Sequence, residues 1–344
     1  MKKRSKSSPI IIATVLSLMF LVSFFAIRLF TKPYVNVQET KYINIPTGSK
    51  ISDVKEILDK AEIIENFKSF EIFSTIYNYK ENIKPGRYKI SDKMTANELV
   101  KMLRIGRQSP VKLTFNNIRF LSKFAGIVGN KLELDSAKLM NLLTDRVFLS
   151  KYGFNEKTSI SMFLPNTYFM FWNTTEIQFI DKMKGEYDKF WTEERKQKAA
   201  KIGLTINEIS TLASIVQEET NKKNEMSLMA GVLINRLKNN MKLQADPTAR
   251  FAYGDFDVNR ITSNYTSIKS EYNTYYVFGL PPGPINMVEP ENIDAVLNYK
   301  SSDYLYYCAK ADGSGYHAYA ITYAEHQRNA IAYHKYLDKH GYLM

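Results

Sequence analysis

Two adjacent carboxylates, Glu218 and Glu219, close the run Ala213-Ser214-Ile215-Val216-Gln217-Glu218-Glu219-Thr220, and the spacing gives them different surroundings. With Leu212, Ile215 and Val216 as the inward stripe of a helix, Glu219 follows at spacings of seven, four and three residues. At about 100° per residue that is the same face. Withdrawal from water raises a carboxyl pKa, because burial disfavours the charged form. A carboxylic acid still protonated near neutral pH is a general acid. Glu218 is directed toward the side of Thr211 and Ser214, where it is expected to stay solvated and ionised. Two structural alternatives to catalysis stand beside this reading: Glu219 at the rim of the buried stripe, or Glu219 paired with an arginine such as Arg236.

A second group of polar residues falls in a loop-rich section from Met241 to Pro290. Leu243-Gln244-Ala245-Asp246-Pro247-Thr248 offers an amide, a carboxylate and a hydroxyl, and Tyr272-Asn273-Thr274-Tyr275 adds two phenols, an amide and a hydroxyl. Gly279-Leu280-Pro281-Pro282-Gly283-Pro284-Ile285 is a stiff turn. Amides and hydroxyls beside aromatic rings suit a sugar polymer, whose hydroxyls take planar hydrogen-bond partners and whose C–H faces take apolar area. The candidate contacts are Gln244, Asp246, Thr248, Tyr272, Asn273, Tyr275 and His317. Tyrosine-rich segments also pack cores, and Asp-Pro and Pro-Pro-Gly also form plain turns.

The elements that must position these groups are marked by caps. Thr205 with Glu208 is a capping box ahead of Ile206, Ile209, Leu212 and Ile215, so a helix runs from Thr205 to Thr220 and a second from Asn224 to Lys238. A hairpin is expected from Tyr304–Ala309 through Asp312-Gly313-Ser314-Gly315 to His317–Ala320. Thr322 with Glu325 then opens a terminal helix ending at Gly341. Upstream, residues 41–105 read as two β-α units: strand Tyr42–Ile45 with a helix capped by Ser52-Asp53, and a turn and strand over Lys84–Ile90 with a helix from Thr95 stopped by Gly106. An apolar helix around Phe67 to Tyr77 lies between them. Residues 111–200 are mostly helical, with a strand at Val111–Phe115, a turn at Phe163–Tyr168 and an amphipathic helix near Phe179–Trp191.

The N-terminus sets the compartment. Pro9 to Ile27 carries no charge and is long enough to cross a bilayer, and Lys2, Lys3, Arg4 and Lys6 precede it. The expectation is an uncleaved signal anchor over 9–30 in the cytoplasmic membrane, with residues 1–8 inside, a linker at 31–40 and everything beyond outside. A net charge of +12 favours an anionic partner, and no zinc-spaced cysteine pair, phosphate loop or H-E-x-x-H is present, so neither nucleic acid nor metal has a motif behind it. Cys308 is the single cysteine and is expected to be a small buried hydrophobe.

These segments together resemble the MltG (YceG-like) family of membrane-anchored endolytic murein transglycosylases. Leu212-Ala213-Ser214-Ile215-Val216-Gln217-Glu218-Glu219 matches the family's L-A-S-I-[IV]-[EQ]-x-E. Asn235-Arg236-Leu237, Leu243–Thr248, Tyr253-Gly254, Tyr272–Tyr275 and Gly279–Ile285 follow in the family's order. The chain departs where the family reads E-G-x-x-x-P-D-T-Y: Ile160–Tyr168 lacks both acids, and Asn116-Asn117-Ile118-Arg119 replaces the usual Glu-Gly turn. The resemblance implies an α+β chain: a transmembrane helix, a LysM-like glycan-binding module at 41–110 and a catalytic domain at 111–344, with a helical part (111–200) and a catalytic core (201–344). It places the acid at Glu219, the residue that helical periodicity selects independently. It implies no cofactor, peptidoglycan strands as substrate, and partnership with peptidoglycan synthases. A membrane-anchored binder or scaffold without catalysis, and a hydrolase that leaves reducing ends, are the competing expectations.

Overall fold

A computed structural model of the chain describes residues 9–256 and 261–340. The chain is mixed α+β and divides into two compact units, the first comprising the described residues up to Leu113 with Asn130–Glu133 and Phe169–Thr174, the second the remainder.

In the first unit, α1 (Pro9–Thr31) is an apolar helix whose stretch Ile10–Thr31 is long enough to cross a membrane. The basic residues expected to orient it lie outside the described residues, as does Gly341. Strands β1 (Lys41–Ile45) and β2 (Gly86–Ile90) pair antiparallel with Ile43 opposite Tyr88. Their alternation turns Ile43, Ile45, Tyr88 and Ile90 inward. Three helices close over that face: α2 (Ile51–Lys60) with Val54 and Leu58, α3 (Lys68–Ile76) with Phe70 and Phe73, and α4 (Ala96–Ile105) with Leu99, Val100 and Leu103. Thr95 caps α4 reciprocally with Glu98, and Gly106 ends it in the left-handed conformation at φ 78°. The cap of α2 falls at Lys50 rather than Ser52-Asp53, because Asp53 sits in the first turn and accepts from Lys50 N at 2.8 Å.

Residues 33–37, expected within a linker, belong to this core. Tyr34 and Val35 both donate their N–H to Met94 O at 2.9 Å, and Val35 and Val37 are buried. Phe30, in the last turn of α1, sets its ring edge-on to Phe73 with centroids 5.0 Å apart.

Strand β3 (Val111–Phe115) pairs with β4 (Asn166–Met170). The segment expected as a turn at 163–168 therefore ends as strand, with Tyr168 stacked on Phe115 at 5.2 Å. In the second unit α5 (Leu121–Gly129), α6 (Ser136–Thr144), α7 (Arg146–Ser150), a short 3-10 turn (Ser159–Met162), α8 (Glu176–Phe190) and α9 (Glu193–Ile202) precede the central pair α10 (Ile206–Glu219) and α11 (Lys223–Lys238). The section from 241 to 290 is less loop-like than expected. It contains α12 (Asp246–Tyr253), with Pro247 in its first turn where a missing N–H costs nothing, and α13 (Ser263–Thr266). Next come α14 (Pro290–Leu297), the hairpin β5 (Tyr306–Ala309) and β6 (His317–Ala320), and α15 (Tyr323–Lys339), capped by Thr322.

Candidate active site

The site is built on the last turn of α10. Every residue from Ile209 to Val216 is buried, so this helix is enclosed on all sides rather than amphipathic. The cover on its Thr211–Ser214 side is the stretch from Ile285 to α14: Ile285 N donates to Ser214 Oγ at 3.1 Å, and Gln217 Oε1 accepts from Glu289 N at 2.8 Å and Asn292 Nδ2 at 2.9 Å. Gly283 makes the cover possible, since a Cβ there would stand 2.0 Å from Lys157 O.

That cover corrects the expectation for Glu218. It is held by the protein and only partly exposed: it accepts from Arg119 at 2.7 Å, Asn117 Nδ2 at 3.0 Å and Asn286 Nδ2 at 2.6 Å. The guanidinium of Arg119 in turn lies 4.0 Å from the Phe256 ring. Asn117 and Arg119, in the segment that departs from the family's turn, thus anchor the second carboxylate of the pair.

Glu219 points the other way, into a cavity of about 580 Å³ lined by Gln244, Asp246, Tyr275, Tyr307 and His317 among others. Its Oε1 is sealed from solvent and has no hydrogen-bond partner among the described residues. Burial, followed by the negative charge of Asp246, pushes its pKa up to about 8, against the lowering influence of Tyr307, Arg236 and Arg250. The carbonyl end of the helix dipole acts in the same direction as burial. Arg236 forms no ion pair with Glu219. Its buried guanidinium donates to Leu305 O at 2.6 Å and Leu243 O at 2.7 Å, and so ties the cavity wall together.

Two of the sequence segments form one wall. Thr248 Oγ1 and Thr274 Oγ1 share a hydrogen bond of 2.7 Å, and Ala245 N donates to Thr274 Oγ1 at 2.9 Å. This stitch holds Gln244 at φ 47°, a left-handed conformation that a non-glycine residue adopts at a cost. The Gln244 amide itself is exposed at the cavity. Tyr275 donates its hydroxyl to Asp246 Oδ1 at 2.6 Å, and burial, reinforced by Asp246, raises the phenol pKa.

Of the residues expected to touch a ligand, Gln244, Asp246, Tyr275 and His317 line the cavity with Glu219. Thr248, Asn273 and Tyr272 do not. Thr248 is fully buried in the stitch, and Asn273, also fully buried, donates to the carbonyls of Tyr265, Thr266 and Ile268. Tyr272 packs on Phe251 with centroids 4.9 Å apart. Thr248 and Asn273, whose polar groups are satisfied internally, and Tyr272, packed on Phe251, shape the wall from behind.

Sequence reasoning missed Tyr307, which interacts with the Glu219 side chain and whose pKa burial raises strongly. The hairpin register carried the signal: Tyr307 pairs with Tyr319 and Ala309 with His317, so residues two apart put Tyr307 on the face of His317. Also missed was the stripe Tyr323, His326, Ala330, Tyr333 and His334, one face of α15 that forms the opposite wall. Cys308 is half-buried at the cavity rather than in a core. The described residues contain no group of three His, Cys, Asp or Glu side chains arranged to hold a metal ion.

Comparison with known proteins places this arrangement. The endolytic murein transglycosylase of Bacillus subtilis (strain 168) is 27% identical over 304 residues, 84% of this chain and 83% of that protein. The protein of the same name from Streptococcus pneumoniae serotype 2 (strain D39 / NCTC 7466) is 29% identical over 328 residues, 86% of this chain, which spans 59% of that longer relative. A crystal structure of a yceG-like protein from Listeria monocytogenes aligns with a TM-score of 0.55 at 28% identity, covering 85% of this chain and 99% of that one. The YceG-like family model matches residues 43–332, from β1 into α15. The match takes in every cavity residue used above but His334 and Tyr333, and the chain belongs to the YceG-like family.

Proposed function

We propose that this chain is an endolytic lytic transglycosylase that cuts the β-1,4 bond between N-acetylmuramic acid and N-acetylglucosamine in peptidoglycan strands and leaves a 1,6-anhydro end. The observation that carries the reading is the state of Glu219: a carboxyl group in a polar, ring-lined cavity, with one oxygen unpartnered and a pKa of about 8. Two relatives across most of the chain bear the name endolytic murein transglycosylase.

Cleavage needs a proton for the leaving oxygen and a nucleophile for the oxocarbenium-like centre. Glu219, protonated at neutral pH, donates to the leaving N-acetylglucosamine oxygen. The carboxylate left behind takes the proton of the C6 hydroxyl on the same muramic ring, and that oxygen closes on C1. The nucleophile is held by the ring itself, so proximity replaces a second carboxylate. Gln244, Asp246, Tyr275 and His317 face the strand, and Thr248, Tyr272 and Asn273 hold the wall that presents them. The β1–α2–α3–β2–α4 module is LysM-like and grips the strand. The anchor lies in the cytoplasmic membrane with its N-terminus inside, and the units beyond it act on nascent glycan outside, in company with peptidoglycan synthases.

Asp246 favours one rival, a two-carboxylate hydrolase, because it shares the cavity with Glu219. Mass spectrometry of uncrosslinked glycan strands after incubation separates the two. Fragments lighter by one water than hydrolysis products are expected. Hydrated ends would mean a hydrolase, and intact strands a binding protein. Glu219→Gln is expected to lower the rate by about 10²- to 10⁴-fold, the usual worth of a general acid.

A further inference from the structure

The mechanism above leaves one buried carboxylate unused. Glu225, in the first turn of α11 and 6% exposed, turns both oxygens toward His317, with the Tyr319 phenol as a further neighbour of the carboxylate. Its Oε1 accepts the backbone N–H of His317 at 2.9 Å, and its Oε2 lies 3.1 Å from His317 Nδ1. Thr220, the residue after Glu219, donates to the same Oε2 from 3.4 Å. A carboxylate only accepts, so the contact to Nδ1 requires the imidazole proton on that nitrogen. In the neutral ring the other nitrogen, Nε2, then carries the lone pair, and it makes no hydrogen bond among the described residues, in a ring that lines the Glu219 cavity. The imidazole is held from the side as well, edge-on to Tyr307 at 5.8 Å, the phenol that interacts with Glu219. Burying a carboxylate costs several kcal/mol unless it is well paired. A simple tie between α11 and β6 needs only the backbone bond. The second oxygen also receives Thr220, and of its contacts the one to Nδ1 is the one that fixes the ring.

We propose that Glu225 is a positioning residue, holding His317 as the Nδ1–H tautomer with Nε2 turned to the cavity as acceptor for a hydroxyl or acetamido N–H of the glycan. The glycan part of this assignment rests on the function proposed above. It is the arrangement in which the partner of one ring nitrogen decides what the other can do.

Glu225→Gln tests it with little change of volume. The glutamine oxygen still accepts the His317 backbone N–H, but its NH2 now faces Nδ1, which must accept, and the ring proton moves to Nε2. In the full-length chain, Glu225→Gln should keep the melting temperature within a few degrees while kcat/KM on uncrosslinked strands falls at least about tenfold, as expected when an imidazole is held in the wrong tautomer. His317→Ala should fall as far, and the double variant no further than His317→Ala alone. His317→Gln, whose side-chain oxygen can reach the position of Nε2, should recover part of the loss. Independent losses that add in the double variant would overturn the proposal. A readout free of catalysis is the 15N shifts of the His317 ring at neutral pH: Nδ1 protonated in the wild type, Nε2 protonated in Glu225→Gln. A wild-type ring protonated at Nε2 would overturn the positioning role even if strands are cut. A wild-type chain that cuts no strand would instead overturn the proposed function and the glycan contact, leaving the tautomer result to stand or fall by itself.

Discussion

Glu219 and Glu218 differ by one position and by almost everything around them. The raised pKa of Glu219, caused first by burial and then by Asp246, has consequences of fixed sign. The acid form persists up to about pH 8, so the rate of strand cleavage should be flat from pH 6 to 7 and fall as pH rises through about 8. Stability moves with it. A carboxyl whose folded pKa lies above the unfolded value of 4.5 favours folding below 4.5, and that contribution is lost as pH climbs to about 8. Glu219→Gln removes the penalty, so its melting temperature should exceed that of the wild type by a margin that widens between pH 5 and 8 and then levels off. The margin is on the order of a few kcal/mol, and a difference that stays flat with pH would contradict the assigned pKa. At this scale periodicity made Glu219 legible, because seven, four and three residues are distances along one helix. The partners of Glu218 were not legible, since Asn117, Arg119 and Asn286 stand 101, 99 and 68 residues away. Removing that charge leaves the half-buried Arg119 short of a partner. Glu218→Gln should lose about 1–3 kcal/mol of stability yet keep cleavage, and loss of cleavage with an intact fold would move the acid role to Glu218.

Among the elements, caps and local patterns identified most of the secondary structure. Thr95 with Glu98, Thr205 with Glu208 and Thr322 with Glu325 each stand where a helix begins. What failed was burial on the far side of an element. Thr211 and Ser214 look like a solvent face, but the 285–292 stretch covers them, and a strand of polar character at Asn166–Met170 was hidden inside a proline-marked turn. The residues after α1 failed for the same reason: Lys32 to Thr40 has linker composition, yet Val35 and Val37 are buried at 2% and 4%. This has a direct test. A soluble chain starting at residue 32 keeps both valines and the hydrogen bonds of Tyr34 and Val35 to Met94, whereas one starting at 41 loses them. At roughly 1.5–3 kcal/mol for each buried valine, the shorter chain should be less stable by about 3–6 kcal/mol, read as a lower denaturant midpoint. Equal midpoints would show that the two valines contribute nothing to the module.

Over the whole molecule, the same contacts bear on the anchor role proposed for α1. Leu29 packs against the module core and Phe30 against Phe73, so α1 runs into the first unit without a free hinge. A tether of random coil would let the module sample a range of heights above the bilayer. With α1 as the membrane anchor proposed above, packing rather than coil would set the height of the first unit. Inserting about ten Gly/Ser residues between Thr31 and Pro33 separates the two while leaving Tyr34, Val35 and Val37 in place. Such a segment adds a root-mean-square reach of about 16–19 Å. Cleavage of free strands in detergent should be unchanged, because neither the cavity nor the module is touched. On the membrane placement proposed above, cleavage of lipid-linked strands in vesicles should shift toward longer membrane-bound remnants, since the first unit is freed from its fixed distance to the lipid. Remnants of unchanged length would mean that the packed junction between α1 and the module does not set the cutting position.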